Sequence, residues 1–303
     1  MAGSMTINEP AYEHLLAMGD GLVQRGQITL ASQIYAVALR RAKTPAERRA
    51  ARLRIGIAGS TVRPELNMAL LQELEGGDAF PQFVGAGLAT WWKTLPFMED
   101  PRFLEINDRH AGLLPLANWH WNLSTALWAV RQVKDVPGDF VELGVFKGHT
   151  TLFCAEYVEF QTWPRRWWLY DTFDGIPDDQ VAKGWEERNK NLYQDGAFSF
   201  EEVRDRFAAY PNIEVIKGRV PEVLVGNSPD TIAFMHIDMN NPTAEIGALD
   251  ALFERVSSGG VILFDDFCWA TAKAQFDAET KWFADRGLHV LPLPTGQGLF
   301  VKR

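Results

Sequence analysis

Apolar and polar positions change their rhythm near residue 137. After Val136-Pro137-Gly138-Asp139, a turn signal, short apolar runs alternate with stretches of helical spacing. Strands are predicted at 139–143, 167–171, 213–217, 231–238 and 260–264, and helices at about 149–160, 200–209, 219–225 and 243–256. Strand and helix in alternation predict a doubly wound α/β domain, a parallel sheet with helices on both faces. From Gly287 to Arg303 two apolar runs flank Pro294-Thr295-Gly296, which predicts a terminal hairpin.

Ahead of that region the rhythm is helical. Over residues 9–75 apolar positions recur three and four apart. Gly19, Leu22, Gly26, Ala31, Tyr35 and Ala38 have the spacing of a tetratricopeptide helix pair over 9–43, in which small residues let two helices approach and Tyr35 fills the gap. Pro45 starts a third helix carrying Arg48, Arg49, Arg52 and Arg54, and Pro64 a fourth. One helix pair cannot bury its own apolar face, so it packs on further helices or on a second copy of the chain. A homodimer through this region is one expectation; an ordinary helical cap is the other. The arginine run reads best as a solvated helix face. Residues 76–118, rich in Gly, Pro and Trp, read as a connecting stretch with short helices, and 119–134 is helical again. The expected domains are 1–115 and 116–303.

Composition narrows the function classes. Of 303 residues 47% are hydrophobic and 23% charged, the balance of a packed protein. A net charge of −9 argues against a nucleic-acid binder, which needs clustered cations. Two cysteines, Cys154 and Cys268, are too few for a disulfide framework or a thiolate metal site and read as buried thiols. No run reaches the ~18 apolar residues of a membrane helix, and a cytoplasmic protein is expected.

In such sheets ligands bind beyond the carboxyl ends of the strands. After the first strand, Gly144 and Gly148 permit a tight turn and close approach of a ligand to backbone, and Thr150 offers a hydroxyl near a helix start. The spacing is not the G-x-G-x-x-G of pyrophosphate binders. The second strand ends at Asp171, where a carboxylate can accept from ribose hydroxyls. Together these suggest an adenosine-containing ligand. The fourth strand ends at His236-Ile237-Asp238-Met239-Asn240 and the fifth at Asp265-Asp266. Neighbouring parallel strands would bring Asp238 beside Asp265 and Asp266, and three such carboxylates repel unless protonated or bridged by a hard cation, Mg²⁺ first. Alternatively, Asp265 caps the next helix and Asp266 pairs with a basic group. The polar stretch Asp178 to Ser199 reads as a lid or a plain loop.

Four blocks carry a resemblance: Pro137-Gly138-Asp139-Phe140-Val141-Glu142-Leu143-Gly144-Val145-Phe146-Lys147-Gly148, Asp171-Thr172-Phe173-Asp174-Gly175-Ile176-Pro177, Ile237-Asp238, and Ser258-Gly259-Gly260-Val261-Ile262-Leu263-Phe264-Asp265-Asp266. In their order and separation the last 165 or so residues resemble the macrocin O-methyltransferase family, S-adenosylmethionine-dependent enzymes. The resemblance implies a Rossmann-like, seven-stranded sheet with its last strand antiparallel. It implies that Glu142, Gly144, Gly148 and Thr150 line the methionine end of the cofactor, that Asp171 holds the ribose, that Phe173 packs near the adenine and that Gly218 completes that side. It further implies that Asp238, Asp265 and Asp266 ligate a divalent metal. One position departs from the pattern. Where relatives carry an aspartate assigned as base, this chain has Asn240, which takes no proton at neutral pH. Asp238 and His236 are then the candidate catalytic residues. The expected activity is O-methylation of a small hydroxylated molecule such as a glycoside. Two other readings stay open, a nicotinamide-dependent oxidoreductase and a noncatalytic scaffold.

Overall fold

The computed structural model describes residues 11–59, 83–90, 93–114, 118–181 and 199–303. The chain divides into two compact units, Met1–Trp121 and Asn122–Arg303, a boundary six residues later than the pattern suggested and inside a helix.

In the first unit, α1 (Tyr12–Gln24) and α2 (Ile28–Arg41) pack together, joined by a short turn in which Gly26 takes φ +71°. The expected contact is there: Tyr35 is fully buried and its ring fills the space a side chain on Gly19 would need. The Tyr35 hydroxyl donates to Asp20 at 2.6 Å, and Asp20 also accepts from Arg54 at 3.0 Å on α3 (Pro45–Gly59). Burial first, and then the hydrogen bond to Asp20, push the Tyr35 hydroxyl pKa far up. A reciprocal cap starts α3: the Glu47 amide donates to the Thr44 hydroxyl, and the Glu47 carboxylate accepts from the Thr44 amide. Leu22, Val23, Tyr35, Leu39, Ile55 and Ile57 form the core of the three helices. The fourth helix expected from Pro64 lies outside the described residues.

The stretch expected to be only connection and short helices also contains a hairpin, β1 (Phe83–Gly85) with β2 (Leu88–Thr90). Its strands are three residues long and flank Ala86-Gly87, too short for an alternating pattern to stand out. Tertiary contact holds it, for the Val84 carbonyl occupies the space a Cβ on Gly56 would take. After α4 (Pro96–Glu99), Asp100 caps α5 (Pro101–His110) by accepting from the Arg102 and Phe103 amides.

The second unit contains most of α6 (His120–Gln132), followed by β3 (Asp139–Leu143), α7 (His149–Val158), β4 (Trp167–Asp171), α8 (Phe200–Arg206), β5 (Ile213–Lys217), β6 (Ile232–Ile237), α9 (Pro242–Leu252), β7 (Val256–Phe264), α10 (Lys273–Ala284), β8 (Leu291–Pro292) and β9 (Gly298–Val301). The seven strands lie in the order β5-β4-β3-β6-β7-β9-β8. β3 to β7 pair in parallel, and β9 runs antiparallel to β7. The α/β class, the antiparallel last strand and the terminal hairpin are therefore as expected. All six residues of β6 are buried, the mark of a central parallel strand covered on both faces.

Two local expectations differ from the structure. Residues 219–225 hold one short 3₁₀ turn, Glu222–Leu224, instead of a helix; Pro221 lacks an N–H, and Gly226 at φ +68° ends the segment. Helix α10 is absent from the elements the pattern predicts. Of the two thiols, both free, Cys154 is buried as expected but Cys268 is exposed, because it sits in the loop after β7 rather than in the strand. Trp167 is core, and Trp163 packs on Phe140 and Phe160.

Candidate active site

A cleft opens beyond the carboxyl ends of β3 to β6, lined among others by Gly144, Asp171, Thr172, Gly218, Asp238 and Asn241. Four sequence candidates thus meet in one place. Gly144 turns the chain out of β3 at φ +86°, and a Cβ there would overlap the Asp238 carbonyl oxygen. The Asp238 amide in turn donates to the Leu143 carbonyl at 2.8 Å, which ties the tips of β3 and β6 together.

Asp171 organises the loop after β3. One carboxylate oxygen accepts from the Val145 and Phe146 amides, both at 2.8 Å, and the other from the Phe173 amide at 2.7 Å. Burial raises its pKa, and these three N–H donors offset part of that rise. At Gly218 the Val223 side chain fills the Cβ position, and the Gly218 amide donates to the Asp171 carbonyl at 2.9 Å.

Other candidates stand beside the cleft rather than in its wall. Gly148, φ +74°, starts α7 with the Phe207 ring 2.8 Å from where its Cβ would be, so a packed aromatic ring explains this glycine. Thr150 follows, half-buried. Phe173 is buried, its ring centroid 5.4 Å from that of Phe200.

Glu142 and His236 lie behind the cleft, 2% and 1% exposed. Glu142 accepts from the Thr151 hydroxyl and meets His236 Nδ1 at 2.9 Å, while His236 Nε2 is 3.8 Å from Asp265. Burial opposes a charged imidazole, but Asp265 and Glu142 on its two sides outweigh it and push His236 up to about 10. Neither side chain is part of the cleft wall, and His236 links Glu142 to Asp265. Sequence alone placed them at a strand end but gave no sign of which way they face.

Asp265 also accepts from Gln297 at 2.9 Å on the terminal hairpin. Burial alone would raise this carboxyl; His236, Gln297 and Asn122 more than offset it and hold it below the usual carboxylate range. Asp238 faces the opposite balance. Burial, then the charges of Asp265 and Asp266, raise it well above that range. Asn240, at φ +57°, donates its side-chain amide to Asp238 at 3.2 Å. This donor set is all oxygen and mutually repelling, which suits a hard cation. Among the described residues, however, no three His, Cys, Asp or Glu side chains converge as ligands do.

One pair escaped the sequence reading. Glu245 on α9 and Glu279 on α10 are both buried; Glu245 accepts from the Met239 amide at 3.2 Å and from Gln275 at 3.0 Å, and so braces the turn after Asp238. The only local signal is Asn241-Pro242, which caps α9 through the Ala244 amide at 2.7 Å and fixes where Glu245 begins to point.

The macrocin O-methyltransferase profile matches residues 121–289, more than half of the chain. The chain belongs to the macrocin O-methyltransferase family. Among its relatives, 8-demethyl-8-(2,3-dimethoxy-alpha-L-rhamnosyl)-tetracenomycin-C 4'-O-methyltransferase of Streptomyces olivaceus is 27% identical over 55% of this chain and 67% of that protein. Demethyldecarbamoylnovobiocin O-methyltransferase of Streptomyces niveus is 29% identical over 44% of this chain and 54% of its own length. The solved structure of the O-methyltransferase NovP shares the fold, with TM-score 0.53 and 24% identity over 63% of this chain and 82% of that one. Family membership makes S-adenosylmethionine the cofactor and displaces the nicotinamide reading. No helix among the described residues is long and apolar enough to cross a membrane.

Proposed function

We propose that the chain transfers the methyl group of S-adenosylmethionine to a hydroxyl of a glycosylated small molecule, with Mg²⁺ held by Asp238, Asp265 and Asp266. The observation that carries this reading is the single cleft uniting Gly144, Asp171, Gly218 and Asp238 at the strand ends of a chain in this family. The glycoside class follows the relative whose acceptor is named as a rhamnosyl compound.

Bound in the cleft, the cofactor supplies a methyl on a sulfonium with its leaving group built in, so the protein's work is mainly alignment, for which effective molarities reach about 10⁵–10⁸ M. Gly144 keeps the cleft floor free of side chain, and Asp171 holds the loop at Val145 and Phe146 in one conformation. His236, backed by Glu142, keeps Asp265 ionised and oriented. Asn240 takes no proton and instead fixes the Asp238 carboxylate. Mg²⁺ at these carboxylates would supply the Lewis acidity that lowers the acceptor hydroxyl's pKa. A homodimer through the helical unit belongs to the same proposal, and a monomer mass by light scattering would remove it.

The test is transfer of labelled methyl from S-adenosylmethionine to a panel of glycosides, with and without EDTA. Transfer that stops in EDTA and returns with Mg²⁺ is expected. Undiminished transfer in EDTA removes the metal, and cofactor binding with no transfer to any acceptor favours the noncatalytic scaffold.

A further inference from the structure

The first two turns of α3 carry Arg48, Arg49 and Arg52, and at the first of them the helix's own partial positive charge disfavours cations and favours anions. The surroundings do little to offset this. Among the described residues Arg48 donates only to the backbone carbonyls of Ala42 and Lys43, at 2.9 and 3.5 Å. Arg49 has no partner among the described residues. Arg52, 6% exposed, is paired with Asp108 at 2.8 Å but leaves its buried Nε unpartnered.

With Lys93 these arginines line a cavity of about 730 Å³, within the roughly 300–1,000 Å³ of small-molecule sites. Glu99 and the already paired Asp108 also reach it, so among the described residues its cations outnumber its acids. Leu95, Met98 and Leu104 supply an apolar wall. A solvated arginine face, the sequence expectation, has no such apolar wall.

We propose that this cavity in the helical unit binds a small organic anion, an apolar body bearing a phosphate or carboxylate group. Guanidinium groups take both anions through paired N–H donors, and an anion at the start of α3 is also favoured by the helix. The proposal is independent of the methyl-transfer reading, since all its residues belong to the first unit.

Calorimetric titration of the full chain at low salt with phenyl phosphate, benzoate, phenol and inorganic phosphate tests it, beside an Arg48→Gln/Arg49→Gln chain. Binding of phenyl phosphate or benzoate, at least tenfold tighter than phenol or inorganic phosphate and weakened at least tenfold in the double variant, is expected; which of the two anions binds tighter separates phosphate from carboxylate ligands. S-adenosylmethionine affinity should stay the same. If the double variant melts early, Arg49→Gln alone, at an exposed side chain, repeats the comparison with a threefold or greater loss expected. Absence of anion binding, equal binding of phenol or inorganic phosphate, or equal binding by the folded variant overturns the proposal. Tighter binding of an oligoglutamate peptide that displaces phenyl phosphate overturns it in favour of an acidic protein segment.

Discussion

Gly144 and Asp238 meet backbone to backbone at the floor of the cleft: there is no room for a Cβ on Gly144 beside the Asp238 carbonyl oxygen. At φ +86° an L side chain is also strained. Gly144→Ala must therefore part the tips of β3 and β6, at a cost of about 1–3 kcal/mol. A lower melting temperature and a tenfold or greater loss of S-adenosylmethionine affinity are expected in calorimetry; wild-type affinity would show that the tips can part without closing the cleft.

Asp171→Asn tests whether loop bracing or direct ribose contact governs that residue. Asparagine keeps one acceptor oxygen and turns an NH₂ toward backbone N–H donors, which costs about 1–3 kcal/mol. Loss of both stability and cofactor affinity is expected, read from urea unfolding and titration on the same preparation. Reduced affinity at unchanged stability would point to direct contact alone.

Asp238→Asn removes one of the three carboxylates proposed to hold Mg²⁺. Methyl transfer should fall at least 100-fold, about 2.7 kcal/mol in transition-state terms, and Mg²⁺ titration should lose its heat signal. Its stability should not fall by a comparable amount, because the variant also removes the repulsion from Asp265 and Asp266.

Glu245 and Glu279 give stability a pH dependence. For Glu245 burial is the main cause of a raised pKa, and for Glu279 burial and then the Glu245 charge; the acidic groups facing the pair are each other, Asp266 and the Cys268 thiol. Each carboxyl also has an oxygen without a donor, a gap one shared proton closes. With folded pKa values above the unfolded ones, their stabilisation is complete in weak acid and is lost as pH rises through the raised values. The melting temperature should fall on going from weakly acidic to alkaline buffer. Glu279→Gln, which supplies a permanent donor, should flatten that slope; an unchanged slope would place the titration elsewhere.

The residue pattern by itself determined the α/β class, the five parallel strands, the terminal hairpin and the helix pair closed by Gly19 and Tyr35, because each rests on short-range periodicity or on small-residue spacing that survives in one dimension. It also located Asp171, Asp238 and Asp265 at strand ends. Only tertiary structure decided where those side chains turn: Glu142 meets His236, which in turn faces Asp265, Asp171 braces the loop after β3, and Gly148 yields to Phe207. Direction depends on which neighbour fills the space, and those neighbours lie tens of positions away, Gln297 at 32 from Asp265 and His236 at 94 from Glu142. The β1–β2 hairpin, formed against α3 at Gly56, was hidden for the same reason: strands of three residues have too few positions to record a period.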